Sequence, residues 1–400
     1  MTASPAPLRR GAAEWSGAAV LSRGFRPFFL AAGVWALLGM ALWPAFFTGK
    51  VAVPTAFSAI DWHAHEMIFG YVVAVATGFL LTAIPNWTGR LPVAGWPLAG
   101  LAALWAAGRV AVFFSEALGR ALAGAIDCAF LIVFAAVVAR ELIAGRNWRN
   151  LKVLALLVAL ALANLAFHVE DQLSGFAEYA TRAALGVIVM LIFLIGGRVT
   201  PIFTSNWLAK TGARERPAPF GRADAAVLAV SGVSLAIWVA WPEGAPTGAL
   251  ALAASAANFW RLSRWRGLAA RRDALVLVLH AGFLFAALGF AAVGVHALAP
   301  SVIPYDSGVH VWAVGAIGMM TLAMMTRATL GHSGRPLVAS RGTRLAYACI
   351  AVAVAARVAM PILPAYGVVF MHVAAVAWML AFAAFLVVYA PLLARRNLPT

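Results

Sequence analysis

Apolar runs of ~17–25 residues recur along the whole chain, separated by short stretches that gather most of the charge. Each run is long enough to cross a hydrocarbon core of about 30 Å as a helix. The pattern predicts twelve helices, over 28–47, 66–85, 94–114, 118–139, 151–169, 177–196, 224–241, 247–263, 273–298, 309–330, 344–361 and 367–393. The eighth is the shortest. Alternating polarity, the mark of a membrane barrel strand, is absent from these runs. The expected fold is therefore an all-α polytopic membrane protein.

Composition agrees with the pattern. Of 400 residues, 64% are hydrophobic and 11% charged, too little charge for the surface of a soluble protein of this size. The net charge of +16 would suit nucleic acid, but its placement is topological. With an inner N-terminus, the inner segments are 1–27, 86–93, 140–152, 197–223, 261–273, 327–344 and 394–400, and they hold 25 of the 30 Lys and Arg residues. The outer connections carry Lys50 and Arg120, while Asp61, Glu66, Glu116, Glu170, Asp171, Glu178, Glu243 and Asp306 fall at or near the outer side. The positive-inside rule then places both termini in the cytoplasm and excludes a nucleic-acid partner.

Residues 1–27 read as a cytoplasmic segment without a cleavage pattern, 28–393 as a single transmembrane helical domain, and 394–400 as a cytoplasmic tail. The inner stretch 197–223 carries Pro and charge and is expected as the loop between two six-helix groups. Cys128 and Cys349 fall within predicted spans and read as small buried residues.

Ionisable groups inside a membrane are costly and usually face a cavity, a partner or a cofactor. Six of the eight histidines map to the outer side: His63, His65, His168, His296, His310 and His372. His280 lies nearer the inner side and His332 follows the tenth helix. Arg109, Arg182 and Arg357 map to outer halves of their helices, and Asp127 and Asn164 add polar groups to the fourth and fifth. Imidazole ligates haem iron and copper, and arginine pairs with carboxylates such as haem propionates. The competing reading is that these side chains snorkel to the interface.

The stretch "IDWHAHEMIFGY" (60–71) concentrates this question. On a helix His63 and His65 diverge by about 200°, so both cannot face one metal. His63 shares a face with Glu66, and Asp61 with His65; a carboxylate there could orient an imidazole, or Asp61 could simply cap the helix. Met319, Met320, Met324 and Met325 in the tenth helix could serve Cu(I) but also suit a helix core. A short internal echo exists: His65–Gly70–TGR (88–90) and His310–Gly315–SGR (333–335) share the same spacing of 25 residues from His to Arg. Little else matches. A true repeat would be parallel.

"GFRPFF", "HAHEMIFGY", "GFLLTAIPNWTG", "GGRVTPIFTSNWL" and "MTLAMMTRATLGHSGRP" together resemble the NnrS family, across residues 24 to about 336. The resemblance implies a bacterial inner-membrane protein carrying haem and copper, linked to nitric oxide metabolism and protection from nitrosative stress. His63, His65 and Glu66 correspond to the family's HAHE element; His168, His280, His310 and His332 fall in family-like segments, as do Arg198 and Asn206. The expected cofactor-binding set is His65, His168, His280 and His310 with Arg109, Arg182 and Arg198. The expected metal set is His63, His65, Glu66, His168, His310 and His332, with nitric oxide as the small-molecule ligand. Two other classes compete. A haem–copper oxidase or nitric oxide reductase needs a denser histidine centre than this chain offers, and a metal or solute transporter should show paired broken helices.

Overall fold

The computed structural model describes residues 15–395; the N-terminal segment up to residue 14 and the tail from 396 lie outside the described residues. Twelve long helical segments run through the chain. They are α1 (Phe25–Phe47), α2 (Ala59–Thr88), α3 (Trp96–Phe113), α4 (Arg120–Ala144), α5 (Leu151–Ser174), α6 (Glu178–Lys210), α7 (Arg222–Ala240), α8 (Ala245–Ser263), α9 (Ala274–Leu298), α10 (Tyr305–His332), α11 (Arg341–Ile362) and α12 (Gly367–Ala394). No strand occurs among the described residues. Eleven are long and apolar enough to cross a membrane; α8, the shortest of the runs read from sequence, is helical but not apolar enough. Helices such as α9 and α12 are apolar around their whole circumference, as expected of a helix with lipid rather than water outside. The chain is a multi-pass membrane protein.

Two compact units divide the chain. The first takes the sequence up to Ala184, with Ala328–Arg335 and the stretch from Leu386; the second takes Leu185–Arg327 and Pro336–Phe385. In the first, α1 packs on α2, α3 on α4 and α4 on α5. In the second, α8 packs on α9, which also lies against α10. The two groups therefore divide within α6 and not at 197–223, and the last helical turns of the chain return to the first unit.

The segment 197–223 is corrected in another respect: α6 continues as helix to Lys210, leaving only the residues after it as a connection. Pro201 removes a backbone donor that would otherwise meet the carbonyl of Gly197, which is why the sequence reads as a stop. The fold supplies a substitute. The Arg261 guanidinium, held by Asp224 at 3.2 Å, donates to the carbonyls of Phe193 (3.1 Å) and Gly197 (3.5 Å). The first of these carbonyls lies within a π-helical turn over Ile192–Gly196 and the second just past it, where α-helical pairing is broken.

Two further π turns give the internal echo a structural counterpart. His65 ends an α-helical opening (Ala59–His65) and is followed by seven π-helical residues, Glu66–Val72. His310 ends Tyr305–His310 and is followed by seven more, Val311–Ile317. Both segments then resume as α-helix. A carbonyl loosened by the first π turn, Gly70 O, accepts from Trp105 Nε1 at 3.0 Å. The second is wedged by Trp312, whose Nε1 donates to Ala286 O (2.9 Å) and whose ring meets Trp238 and Phe290, each at 5.2 Å.

Gly289 makes that wedge possible, because a Cβ there would run into the fully buried Trp312 indole. Gly289→Val is expected to cost about 1–3 kcal/mol of stability through overpacking. Thermal unfolding of the detergent-solubilised protein reads this as a lowered Tm; an unchanged Tm would contradict the packing described.

Candidate metal centre

The site begins with how α2 starts. Ser58 is its cap: the Asp61 backbone N–H donates to Ser58 Oγ (3.1 Å), and the Ser58 hydroxyl donates to Asp61 Oδ2 (2.6 Å). Asp61 Oδ1 also accepts from the Ala177 backbone N–H at 3.3 Å. The cap is thus Ser58, with Asp61 as its partner inside the first turn and not the cap itself, and α2 begins well before residue 66. Helix geometry then sends the two histidines apart. His63 stacks on Trp43 with ring centroids 4.4 Å apart, while His65 turns inward to full burial.

Four helices meet around His65. Its Nδ1 lies 3.0 Å from Glu66 Oε1, and because a carboxylate only accepts, Nδ1 carries the proton. Its Nε2 faces two oxygens, Asp127 Oδ2 of α4 at 3.1 Å and Asn164 Oδ1 of α5 at 3.2 Å. His168 Nε2, also from α5, lies 3.0 Å from the same Asp127 Oδ2. The Asn164 amide is oriented by its Nδ2, which donates to Asp127 Oδ2 at 2.8 Å. Arg109 of α3 bridges both acids, with Nη1 donating to Glu66 Oε1 (2.7 Å) and Nη2 to Asp127 Oδ1. Two glycines permit this closeness: a Cβ at Gly108 would press on Asp127 Oδ1, and one at Gly124 would lie 3.0 Å from His168 Cγ.

The charges do not cancel. Glu66 and Asp127 carry two negative charges against one on Arg109, so neutral imidazoles leave the buried cluster at −1. With Nδ1 committed to Glu66, the lone pair at His65 Nε2 points at two acceptors. A positive species between them resolves both the charge and the lone-pair conflict.

The donor set fits a metal ion. One atom each from His65, Asp127 and His168 lies within 4.8 Å of the others, and no other such group of His, Cys, Asp or Glu occurs among the described residues. Ligands about 2.0–2.2 Å from one ion sit roughly 3–3.5 Å from each other in tetrahedral geometry, close to the separations here. Two imidazoles and a carboxylate suit copper, iron or zinc. Glu66 acts on the far nitrogen of His65, the usual place for an orienting carboxylate. A haem does not fit at His65: rings of Phe57, Phe69, Phe167 and His168 lie 5.0–5.5 Å from its centroid, leaving no slot for a macrocycle.

The other expected residues go elsewhere. Glu66 serves His65, its chain neighbour. Arg109 is matched by the chain's own carboxylates and is not free for a propionate. His310 belongs to the second unit, where Nδ1 donates to Asp306 O at 2.7 Å, and it joins no three-ligand cluster. His280 is buried with Nε2 2.9 Å from Thr204 Oγ1. His332 lies near Phe25, ring centroids 5.6 Å apart. Arg182 covers the Tyr179 ring at 4.5 Å, and Arg198 is half-buried just past the π turn of α6. The two histidines in neither expected set bond to backbone carbonyls, His296 to Ile303 O and His372 to Val368 O. Met319, Met320 and Met325 are core side chains. Sequence reading noted Asp127 and Asn164 as polar groups in apolar spans without assigning them to a site; that isolation was the available signal.

Arg109→Met is expected to destabilise the protein by about 3–5 kcal/mol, because it strands two buried carboxylates. Adding Asp127→Asn should recover part of that loss. Denaturant unfolding of the single and double variants measures it, and strict additivity would break the proposed coupling.

Comparison with curated proteins finds no match. The family model described as NnrS protein matches residues 19–396, nearly the whole chain, and includes every residue of the cluster around His65. The chain belongs to the NnrS family.

Proposed function

We propose that this chain is a copper-binding protein of the bacterial inner membrane that acts in nitric oxide chemistry, with the ion held by His65, His168 and Asp127. The observation that carries the reading is the His65 ring. Glu66 fixes its proton on Nδ1, so Nε2 offers a lone pair where two oxygens converge and one positive charge is missing. Family membership supplies the link to nitric oxide. Copper bound there would supply a centre for a diatomic ligand and for single-electron exchange.

The chain's own residues prepare that site. Arg109 holds Oδ1 of Asp127, which leaves Oδ2 facing the two imidazoles. Asn164 holds the same oxygen from the other side. Phe57, Phe69 and Phe167 exclude water. Arg109 also borders an apolar cavity of about 250 Å³ lined by Trp35, Leu38, Trp62 and Val110. An uncharged diatomic gas dissolves in lipid, and an apolar recess behind the cluster suits its approach.

A second reading rests on the same charge count: a proton at His65 Nε2 also cancels the −1. Metal content separates the two. Protein purified from copper-replete cells should carry about one copper per chain at this site, and His65→Ala, His168→Ala and Asp127→Asn should each lower it by about tenfold. His372→Ala, remote from the cluster in sequence and bonded to Val368 O, should leave it unchanged. Equal copper in all four variants removes the metal reading. A copper-free wild type with both His65 ring nitrogens protonated, seen by nitrogen NMR, establishes the second.

A further inference from the structure

A cavity of about 370 Å³ opens in the second unit where α6 ends and where α9 and α11 begin. Four cationic side chains line it: Lys210, Arg272, Arg327 and Arg344. The one carboxylate present, Asp273, accepts from the Leu275 backbone N–H at 2.8 Å as the cap of α9. The wall therefore carries a surplus of three positive charges, reinforced by the N-termini of two long helices. Trp207, Leu337 and Val338 make its remaining side apolar.

Arg327 distinguishes this cavity from an ordinary basic membrane flank. Charges that serve only topology need contact with water, as Lys210, Arg272 and Arg344 have. Arg327 is instead 8% exposed, over the Phe203 ring at 3.9 Å, and has no described carboxylate within ion-pair distance. The one carboxylate that acts on this buried cation, Asp273, is shared with the cap of α9 and with the other cations of the wall, and an anion in the cavity would offset the remaining cost. Two of the segments singled out in the sequence also converge here, "GGRVTPIFTSNWL" through Asn206 and Trp207, and "MTLAMMTRATLGHSGRP" through Arg327. The cluster around His65 uses neither.

We propose that this cavity binds a phosphoryl group, its oxygens taken by Arg327, Arg344 and Lys210 and its organic remainder resting on Trp207 and Leu337. Arginine forks match phosphate oxygens in pairs, and a basic pocket between membrane helices beside an apolar wall is suited to an anionic headgroup. The volume lies within the ~300–1,000 Å³ of ordinary ligand pockets. The phosphoryl group can come from a lipid or from a soluble phosphate, and the two are separable by experiment.

Full-length protein, reconstituted in nanodiscs of phosphatidylcholine with added phosphatidylglycerol and then released into detergent, is weighed by native mass spectrometry. In parallel, radiolabelled inorganic phosphate is offered in equilibrium dialysis. Wild type should retain phosphatidylglycerol selectively, or bind phosphate, and Arg327→Gln should lower that binding by about tenfold. Should Arg327→Gln fold poorly, Lys210→Gln with Arg344→Gln decides, since both side chains are exposed and the pair should give a similar loss. Arg149→Gln, an exposed arginine of the first unit, should change nothing. Retention of phosphatidylglycerol without phosphate binding identifies a lipid headgroup; phosphate binding alone identifies a soluble anion. Binding of neither, or an equal loss in Arg149→Gln, overturns the proposal.

Discussion

Arg109 lies between Glu66 and Asp127 in a part of the molecule that water does not reach, and the first unit is arranged around that fact. In an apolar interior an ionised group must find its partners within the protein, since solvent cannot substitute. The guanidinium comes from α3, one carboxylate from α2 and the other from α4, while α5 adds the amide and imidazole that finish Asp127. Misregister of any of these helices would strand a charge. Apolar side chains alone would not enforce this, because leucine packs on leucine almost equally well one turn away and lipid is as apolar as either.

Backbone groups obey the same rule. A π turn or an internal proline frees carbonyls that cannot be left open at membrane depth. Trp105 takes Gly70 O within the π turn of α2, and Arg261 takes Phe193 O and Gly197 O at the π turn of α6. Arg261 in turn needs Asp224, which also receives Arg264 and the Gly221 backbone N–H at the head of α7. Irregular backbone in this protein is thus tied to polar side chains from other helices, and the residues that look anomalous in an apolar sequence are those that make the irregularity affordable.

The two charged regions have opposite signs and chemistry. Around His65 the protein's own groups leave a deficit of one positive charge in a closed, aromatic-walled space, which favours a small cation. Around Arg327 the wall leaves an excess of positive charge in an open recess with an apolar side, which favours a larger anion. Each imbalance is visible only when the partners of every charge are counted, since each region also contains the opposite sign.

Sequence alone determined the class and most of the helices, because the apolar run length and the clustering of Lys and Arg follow from the bilayer and need no knowledge of packing. It also excluded a two-histidine clamp in "DWHAHEM", because side-chain angles along a helix are local geometry. Its failures were failures of partnership. Pro201 marked a helix end because the donor that replaces its missing N–H sits on α8, sixty residues away in sequence. His310 looked equivalent to His65 because spacing and even the following π turn agree, yet Val311 stands where Glu66 would be, and the second imidazole turns its Nδ1 to the Asp306 carbonyl. Which of His63 and His65 faces inward, and that Asp127 rather than a third histidine completes the site, were decided by tertiary structure. The reason is that the value of a buried ionisable group depends on what lies within about 3 Å of it, and those neighbours come from distant parts of the chain.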